Sequence, residues 1–203
     1  VGEWEQEVRG QLAAVPVPAP WEPPQLADFR RDHETIAFDP SLSSTGWVHF
    51  CVTAAAGIQV YGHGTLRASS DRTGYWGTYD KARQISDEAE VTLGEALLKA
   101  RGRGRPADRV WEAPAVRGHR TESSLIAGYA VWEASGCEGT TVNAQHASRV
   151  LCGNPRHDKK EIGAAVARYV PETARRPWTE HERDAFAVGL AYLWDLEHPG
   201  KLS

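Results

Sequence analysis

Residues 38–47 read FDPSLSSTGW, an aspartate that closes a short apolar run and is followed six and seven residues later by Thr-Gly. The preceding Thr35-Ile36-Ala37-Phe38 is too short, and too β-branched or aromatic, for a helix. Pro40 removes the backbone donor that a continuing ladder would need, so Asp39 falls at a strand tip. Gly46 is expected to allow a tight turn, after which Trp47 to Val52 reads as a second strand pairing back on the first. Taken alone, such an aspartate reads first as a capping residue at a hairpin corner.

Two later segments supply partners for it. Arg109-Val110-Trp111-Glu112-Ala113-Pro114 is again a short strand ended by an acid and stopped by a proline, which brings Glu112 to the same sheet edge if the strands run parallel. Thr179-Glu180-His181-Glu182-Arg183-Asp184 opens a helix with a capping box, Thr179 accepting from the Glu182 amide and Glu182 reaching back. His181 and Asp184 are three residues apart and share one face of that helix. An acid from each of two strands, with an acid and an imidazole from a helix, makes a hard-ligand cluster suited to Mg²⁺ or Mn²⁺. Near a helix N-terminus, Asp184 is expected to stay ionised and His181 to stay neutral.

These residues carry a family resemblance. DPSLSSTGW resembles the opening motif of the RuvC-type Holliday-junction resolvases of the RNase H-like nuclease superfamily: Asp-Pro, four variable residues, Thr-Gly and an aromatic. RVWEAP resembles their second strand-end acid, and HERDAFAVGLAY their last helix, where an Asp or His precedes the final Asp by three residues. The three motifs stand in the family's order over roughly residues 35–197. The resemblance implies a divergent bacterial or phage member with an α/β, RNase H-like fold, a mixed sheet of about five strands flanked by helices. It implies a metal-dependent endonuclease that resolves Holliday junctions or other branched DNA by paired phosphodiester cleavage. Two divalent ions about 4 Å apart would activate a water and stabilise the departing 3′ oxygen. Asp39 would bridge them, Glu112 and Asp184 would bind outer positions, and His181 would be a ligand or the proton acceptor for the water.

Lys159 or Lys160 resembles the family's basic residue before the penultimate helix, which holds the scissile phosphate; the insertion Asn154-Pro155-Arg156-His157 leaves the choice open. Two departures broaden the expected substrate to branched DNA generally. Position 41 is Ser where the family usually has Gly, and Ala113 to Arg120 reads APAVRGHR, without the aromatic wedge the family carries there.

The formal charge of −4 opposes nucleic-acid binding if read globally, but its distribution does not. Residues 101–176 hold 13 Lys or Arg against 8 Asp or Glu, leaving 10 against 19 in the remainder. The basic groups are RGRGR at 101–105, RGHR at 117–120, RHDKK at 156–160 and ARR at 174–176, each of which alone reads as solvated surface. Arg117, His119, Arg120, Arg149 and Arg156 are the candidate DNA contacts. The helix after Glu112, with Leu125, Ile126, Tyr129, Ala130 and Trp132, offers an apolar face whose family counterpart lies at a dimer contact, so a homodimer is expected.

Residues 1–34 form a proline-rich extension containing VPVPAPWEPP, expected to strap the core through Trp4 and Trp21, and 35–203 form the nuclease domain. Gly57 to Leu66 is expected to complete a three-strand meander with a bulge at Gly62 or Gly64. A long helix is expected over 75–101, with Ala82, Ile85, Ala89, Leu93, Ala96, Leu97 and Ala100 near helical spacing. Shorter helices follow near 122–134, 144–151 and 159–169, and a strand at 140–143. Cys51, Cys137 and Cys152 are odd in number without CxxC spacing, and no apolar run approaches the ~18 residues of a membrane span, so a reducing cytoplasm and no membrane are expected. A kinase of the actin type would need a second glycine-rich phosphate loop, and no nucleotide cofactor is expected. The rival readings are an RNase H acting on RNA–DNA hybrids and a catalytically silent branched-DNA-binding protein.

Overall fold

A computed structural model describes residues 21–114, 121–155 and 158–200. Five strands form one sheet in the order β3-β2-β1-β4-β5. β1 (Glu34–Asp39), β2 (Ser44–Thr53) and β3 (Gly57–Arg67) make an antiparallel meander. β4 (Ala107–Glu112) joins β1 in parallel and β5 (Thr140–Val142) joins β4 in parallel. Among the described residues, two short 3-10 helices and five α-helices accompany the sheet, the latter α1 (Gly74–Gly102), α2 (Thr121–Ala134), α3 (Ala144–Cys152), α4 (Lys159–Tyr169) and α5 (Glu180–Glu197). This is the mixed five-stranded, helix-flanked architecture expected from the sequence.

All six residues of β1 are buried, as a central strand covered on both faces must be. Strand alternation sends its side chains to two cores. Ile36 and Phe38 join Trp111, Ile85, Ala89, Leu93 and Val131 beneath α1 and α2. On the other face Val48, Phe50, Val52 and Val110 pack with Phe186, Leu190 and Leu193 of α5 and with α3 and α4. The apolar face foreseen on α1 is the one that faces the sheet, with Ile85, Ala89, Leu93, Ala96 and Ala100 buried. Phe29, upstream of the first strand, is buried in the α5-side core with its ring edge-on to Tyr169 at 5.6 Å. Trp21 packs against Gly153, where an added Cβ would lie 2.4 Å from the indole. Trp4 and the proline run at 16–20 lie outside the described residues.

Gly46 does not serve a turn. It lies inside β2, paired with Asp39, while Thr45 closes the reversal by accepting from the Ser41 amide and donating to the Ser41 carbonyl. Glycine is required for proximity: a Cβ there would stand 2.2 Å from the backbone carbon and oxygen of His181. The bulge in β3 is real but falls on Tyr61, since His49 pairs with Gly62 and Phe50 with Val60. Gly62 and Gly64 instead accommodate the Trp47 ring, which a Cβ would approach to 3.0 and 2.9 Å.

At the start of β1, Glu34 is fully buried and accepts a fork of hydrogen bonds from Arg103 Nε and Nη2, both 2.7 Å, together with His49 Nε2 at 2.7 Å. Arg105 donates to the Tyr61 hydroxyl at 2.7 Å. Two arginines of the RGRGR run are therefore engaged at the end of β1 opposite Asp39, five residues or about 16 Å away.

Gly46→Ala should cost about 3 kcal/mol, the upper end of overpacking, because the atoms it meets are backbone and cannot step aside. Gly94→Ala, whose Cβ meets nothing within 4 Å on α1, should instead stabilise by about 1 kcal/mol. Urea midpoints of the two variants, moving in opposite directions, check this.

Candidate active site

The parallel pairing of β1 and β4 delivers Asp39 and Glu112 side by side at one sheet edge, because each strand is stopped directly after its acid, by Pro40 and by the Ala113-Pro114 exit. The third element is α5. Its N-cap Thr179 accepts from the Glu182 amide at 3.2 Å while Glu182 Oε2 accepts from the Thr179 amide at 2.6 Å, the capping box read in the sequence. Glu182 does more than cap. Its Oε1 lies 3.1 Å from His63 Nδ1 of β3, and Thr179 Oγ1 lies 3.0 Å from Thr65 Oγ1. Trp178 closes the joint, 4.9 Å from the His63 ring and 5.4 Å from Phe186. His63, Thr65 and Trp178 were not singled out in the sequence, where a histidine and a threonine in a strand carry no signal of a helix docked upon them.

This joint, with the Gly46 approach, sets His181 over the strand tip, where His181 Nδ1 lies 2.5 Å from Asp39 Oδ2. Asp39 is buried, and Glu112, His181 and Asp184 are half-buried around it. The four groups feel one another directly. Burial, then the negative charges of Asp39 and Asp184 and a hydrogen bond with Asp39, push Glu112 up to about 8. Burial and the Asp39 charge push Asp184 up to about 6, opposed by His181, Lys159 and Arg183. The hydrogen bond to Asp39 raises His181 above its ordinary value, against the desolvation that would lower it. The expectation of an ionised Asp184 and a neutral His181 is thus reversed in direction for both. A helix terminus contributes about 0.3–1 kcal/mol, less than carboxylates packed within hydrogen-bonding reach.

Three carboxylates and an imidazole are the donors that hard divalent cations take, and crowded acids with raised proton affinity are acids short of positive charge. The donor set fits such ions in chemistry. Among the described residues no group of three His, Cys, Asp or Glu side chains closes around one point at ligand spacing.

The two lysines separate. Lys159 ion-pairs with Glu180, next to His181, and its charge reaches both His181 and Asp184. Lys160 is exposed, and its backbone amide donates to the N-cap Asp158. Arg183, not foreseen, also acts on Asp184, its guanidinium lying over Gly163 of α4. Arg149 lies on the exposed side of α3. Arg117, His119, Arg120 and Arg156 lie outside the described residues. Among the described residues no helix is long and apolar enough to cross a membrane. Cys51, Cys137 and Cys152 are free.

No family model matches the chain, and no curated protein is significantly similar in sequence. Solved structures are similar in fold. The Thermus thermophilus RuvC structure matches at TM-score 0.63 and 15% identity, over 82% of this chain and 97% of its own. T. thermophilus RuvC in complex with a Holliday junction substrate matches at TM-score 0.65 and 17% identity, over 82% and 96%. The yeast mitochondrial Holliday junction resolvase matches at TM-score 0.50 and 6% identity, over 83% of each. The chain therefore has the RuvC-type, RNase H-like fold that its motifs led us to expect.

Glu112 and Asp184 hold protons in the ion-free folded chain at pH values where the unfolded chain has lost them, so stability should fall as pH rises from about 4.5 towards about 8. His181, also raised, acts with the same sign: its contribution is present at low pH and lost as pH rises through its folded value. Glu34 and Asp108 are lowered and act oppositely, losing stability only as pH drops below the ordinary carboxylate range. Glu112→Gln should remove much of the slope, and Mg²⁺ should flatten it; thermal melts from pH 5 to 8 in EDTA that show no slope would contradict this.

Proposed function

We propose that this chain is a metal-dependent endonuclease that cuts branched DNA, Holliday junctions included. The observation that carries the reading is the convergence of Asp39, Glu112 and Asp184 with His181 at the β1/β4 edge. The likeness to resolvase structures supports it at the level of fold.

Two Mg²⁺ or Mn²⁺ ions bound there would polarise the attacking water and stabilise the leaving 3′ oxygen. Asp39, Glu112 and Asp184 are the carboxylates that would hold them, Asp39 being the one whose charge acts on both of the others. With Nδ1 of His181 committed to Asp39, Nε2 is the atom left to accept the proton of the attacking water. Of the two lysines, Lys159 is the one whose field reaches the cluster, which favours it as the cation for the scissile phosphate. Its present partner is half-buried Glu180, but Lys159 itself is exposed, so a phosphate can replace that ion pair at small cost. The filled ligand set disfavours a silent DNA-binding protein.

Paired cleavage of a near two-fold substrate asks for two active sites, hence a homodimer. The α2 face supports this in part. Ala127, Ala130 and Val131 are spent on the core, but Leu125 and Tyr129 remain 49% and 62% exposed. They border a groove of about 890 Å³ shared with Tyr79 and Ala82 of α1.

Asp39→Asn should fold and bind DNA as the wild type does while cleaving at least about a hundredfold more slowly, since it deletes a ligand and no core contact. Four-way, three-way, flap, RNA–DNA hybrid and linear duplex substrates in Mg²⁺ or Mn²⁺ test the class. Symmetrical nicks in the four-way substrate are expected; preferential cleavage of the hybrid would move the reading to an RNase H, and undiminished cleavage by Asp39→Asn would overturn the site. Light scattering should give a dimer at micromolar concentration, and Tyr129→Glu a monomer.

A further inference from the structure

The loop that leaves Asp39 does not end at the acid cluster. It forms one wall of a second cavity, of about 730 Å³, closed by the first turns of α1 and α2. Ser41 and Ser43 come from the loop, Arg72 and Lys81 from the entry and third turn of α1, and Ser123 and Ser124 from the start of α2. Seven of the twelve lining residues are Ser or Thr, two are cations and none is an acid, in a chain whose acids outnumber its bases by 27 to 23. The surroundings keep it so. Half-buried Asp80 accepts from Ser70 Oγ at 3.0 Å and stands 3.7 Å from the exposed Arg72, a loose contact from which a phosphate can draw the guanidinium. Lys81 is half-buried and has no ion-pair or hydrogen-bond partner among the described residues. Gly77 fixes the geometry: a Cβ there would lie 2.2 Å from the Arg72 carbonyl oxygen, so only glycine lets the loop carrying Arg72 fold against α1.

Directly beside this pocket, on the same first turns of α1, three aromatic rings stand in solvent. Tyr75 is 74% exposed and Trp76 59% exposed, their centroids 5.4 Å apart, and Tyr79 lies 6.2 Å from Trp76. Even with this edge-to-face packing, much of each ring remains open to solvent. Cations and hydroxyls for a backbone, next to open aromatic faces, are what a protein needs to hold single-stranded nucleic acid. A duplex would offer the phosphates but keep its bases stacked.

On the reading of this chain as a branched-DNA nuclease, we infer that the first turns of α1 and the loop after β1 form a binding site for an unpaired DNA strand next to the active site. Arg72, Lys81 and the serines take its phosphates, and Tyr75 and Trp76 stack on a base. The site would select DNA that has, or can release, unpaired nucleotides at the branch, and it uses none of the basic residues at 101–105, 117–120 or 156–160.

Binding can be measured without cleavage in the full chain carrying Asp39→Asn, in EDTA, on a three-way junction with 2-aminopurine at an unpaired branch nucleotide and on a linear duplex of equal length. Arg72→Glu with Lys81→Glu should weaken junction binding about tenfold near 0.1 M salt and lower the slope against log salt by about two. Trp76→Ala should remove the 2-aminopurine quench and leave duplex binding unchanged, with Trp76→Phe restoring the quench. An unchanged salt slope, or a quench that survives Trp76→Ala, overturns the proposal, as does a Trp76→Ala chain that becomes monomeric while its quench persists, since the rings would then belong to a second copy. If the wild type cuts no branched DNA, the nuclease reading fails by itself, and the slope and quench still decide this site.

Discussion

Three carboxylates cannot be held together in a half-buried corner unless the backbone beneath them is fixed by something other than their own attraction, because among themselves they repel. In this protein the fixing element is the close approach of α5 to β2 at Gly46, where no side chain separates strand from helix. The helix start is then riveted by the Thr179–Glu182 box and by His63 and Thr65 of β3. Rigidity of this kind lets the folded chain keep Asp39, Glu112 and Asp184 within reach of one another, and burial first, then the neighbouring negative charges, raise the proton affinities of Glu112 and Asp184. Buried carboxylates crowded in this way favour any positive charge brought beside them.

The two ends of β1 hold buried acids in opposite electrostatic surroundings. Glu34 is fully buried, yet every lone pair in use is met by Arg103 or His49, and its proton affinity is lowered although burial alone would raise it. At the other end Asp39 meets one imidazole and two further acids. Both acids are buried, so burial does not distinguish them. The sign of the neighbouring charge does.

Features governed by backbone chemistry were legible in the sequence. Pro40 and Pro114 mark the strand ends, Thr179 and Glu182 mark the helix start, and the α1 face follows from helical spacing. Features governed by contact between distant segments were not. Gly46 reads as a turn residue because glycine most often serves turns, and only the position of His181 shows that its missing side chain is a matter of room. The RGRGR run reads as a surface charge cluster, yet two of its arginines are spent on Glu34 and Tyr61, partners 69 and 44 positions away in sequence at the far end of the sheet. Lys159 and Lys160 differ by one helical position, and which of them faces the acids depends on how α4 docks against α5. Phe29 lies in a stretch that reads as an extension, but a phenylalanine without periodic neighbours carries no sign of whether it is core.

Net charge says little about nucleic-acid binding, for a physical reason. At physiological ionic strength the field of an exposed charge decays over about 8 Å, so a phosphate senses the groups within a few contacts of it and not the total of −4. Much of the acidic excess is local: the cluster around Asp39, whose charge bound cations would reverse, and the exposed acids of α1 such as Glu88, Glu90 and Glu95. Beside that cluster lies a wall of hydroxyls with Arg72 and Lys81 and no carboxylate. A polyanion approaching the Asp39 edge along this side would meet a wall of hydroxyls with Arg72 and Lys81, where the neighbouring Asp80 is held by Ser70 and Arg72. An acidic protein can hold DNA when its negative charge is gathered where ions neutralise it and is absent from the track beside it.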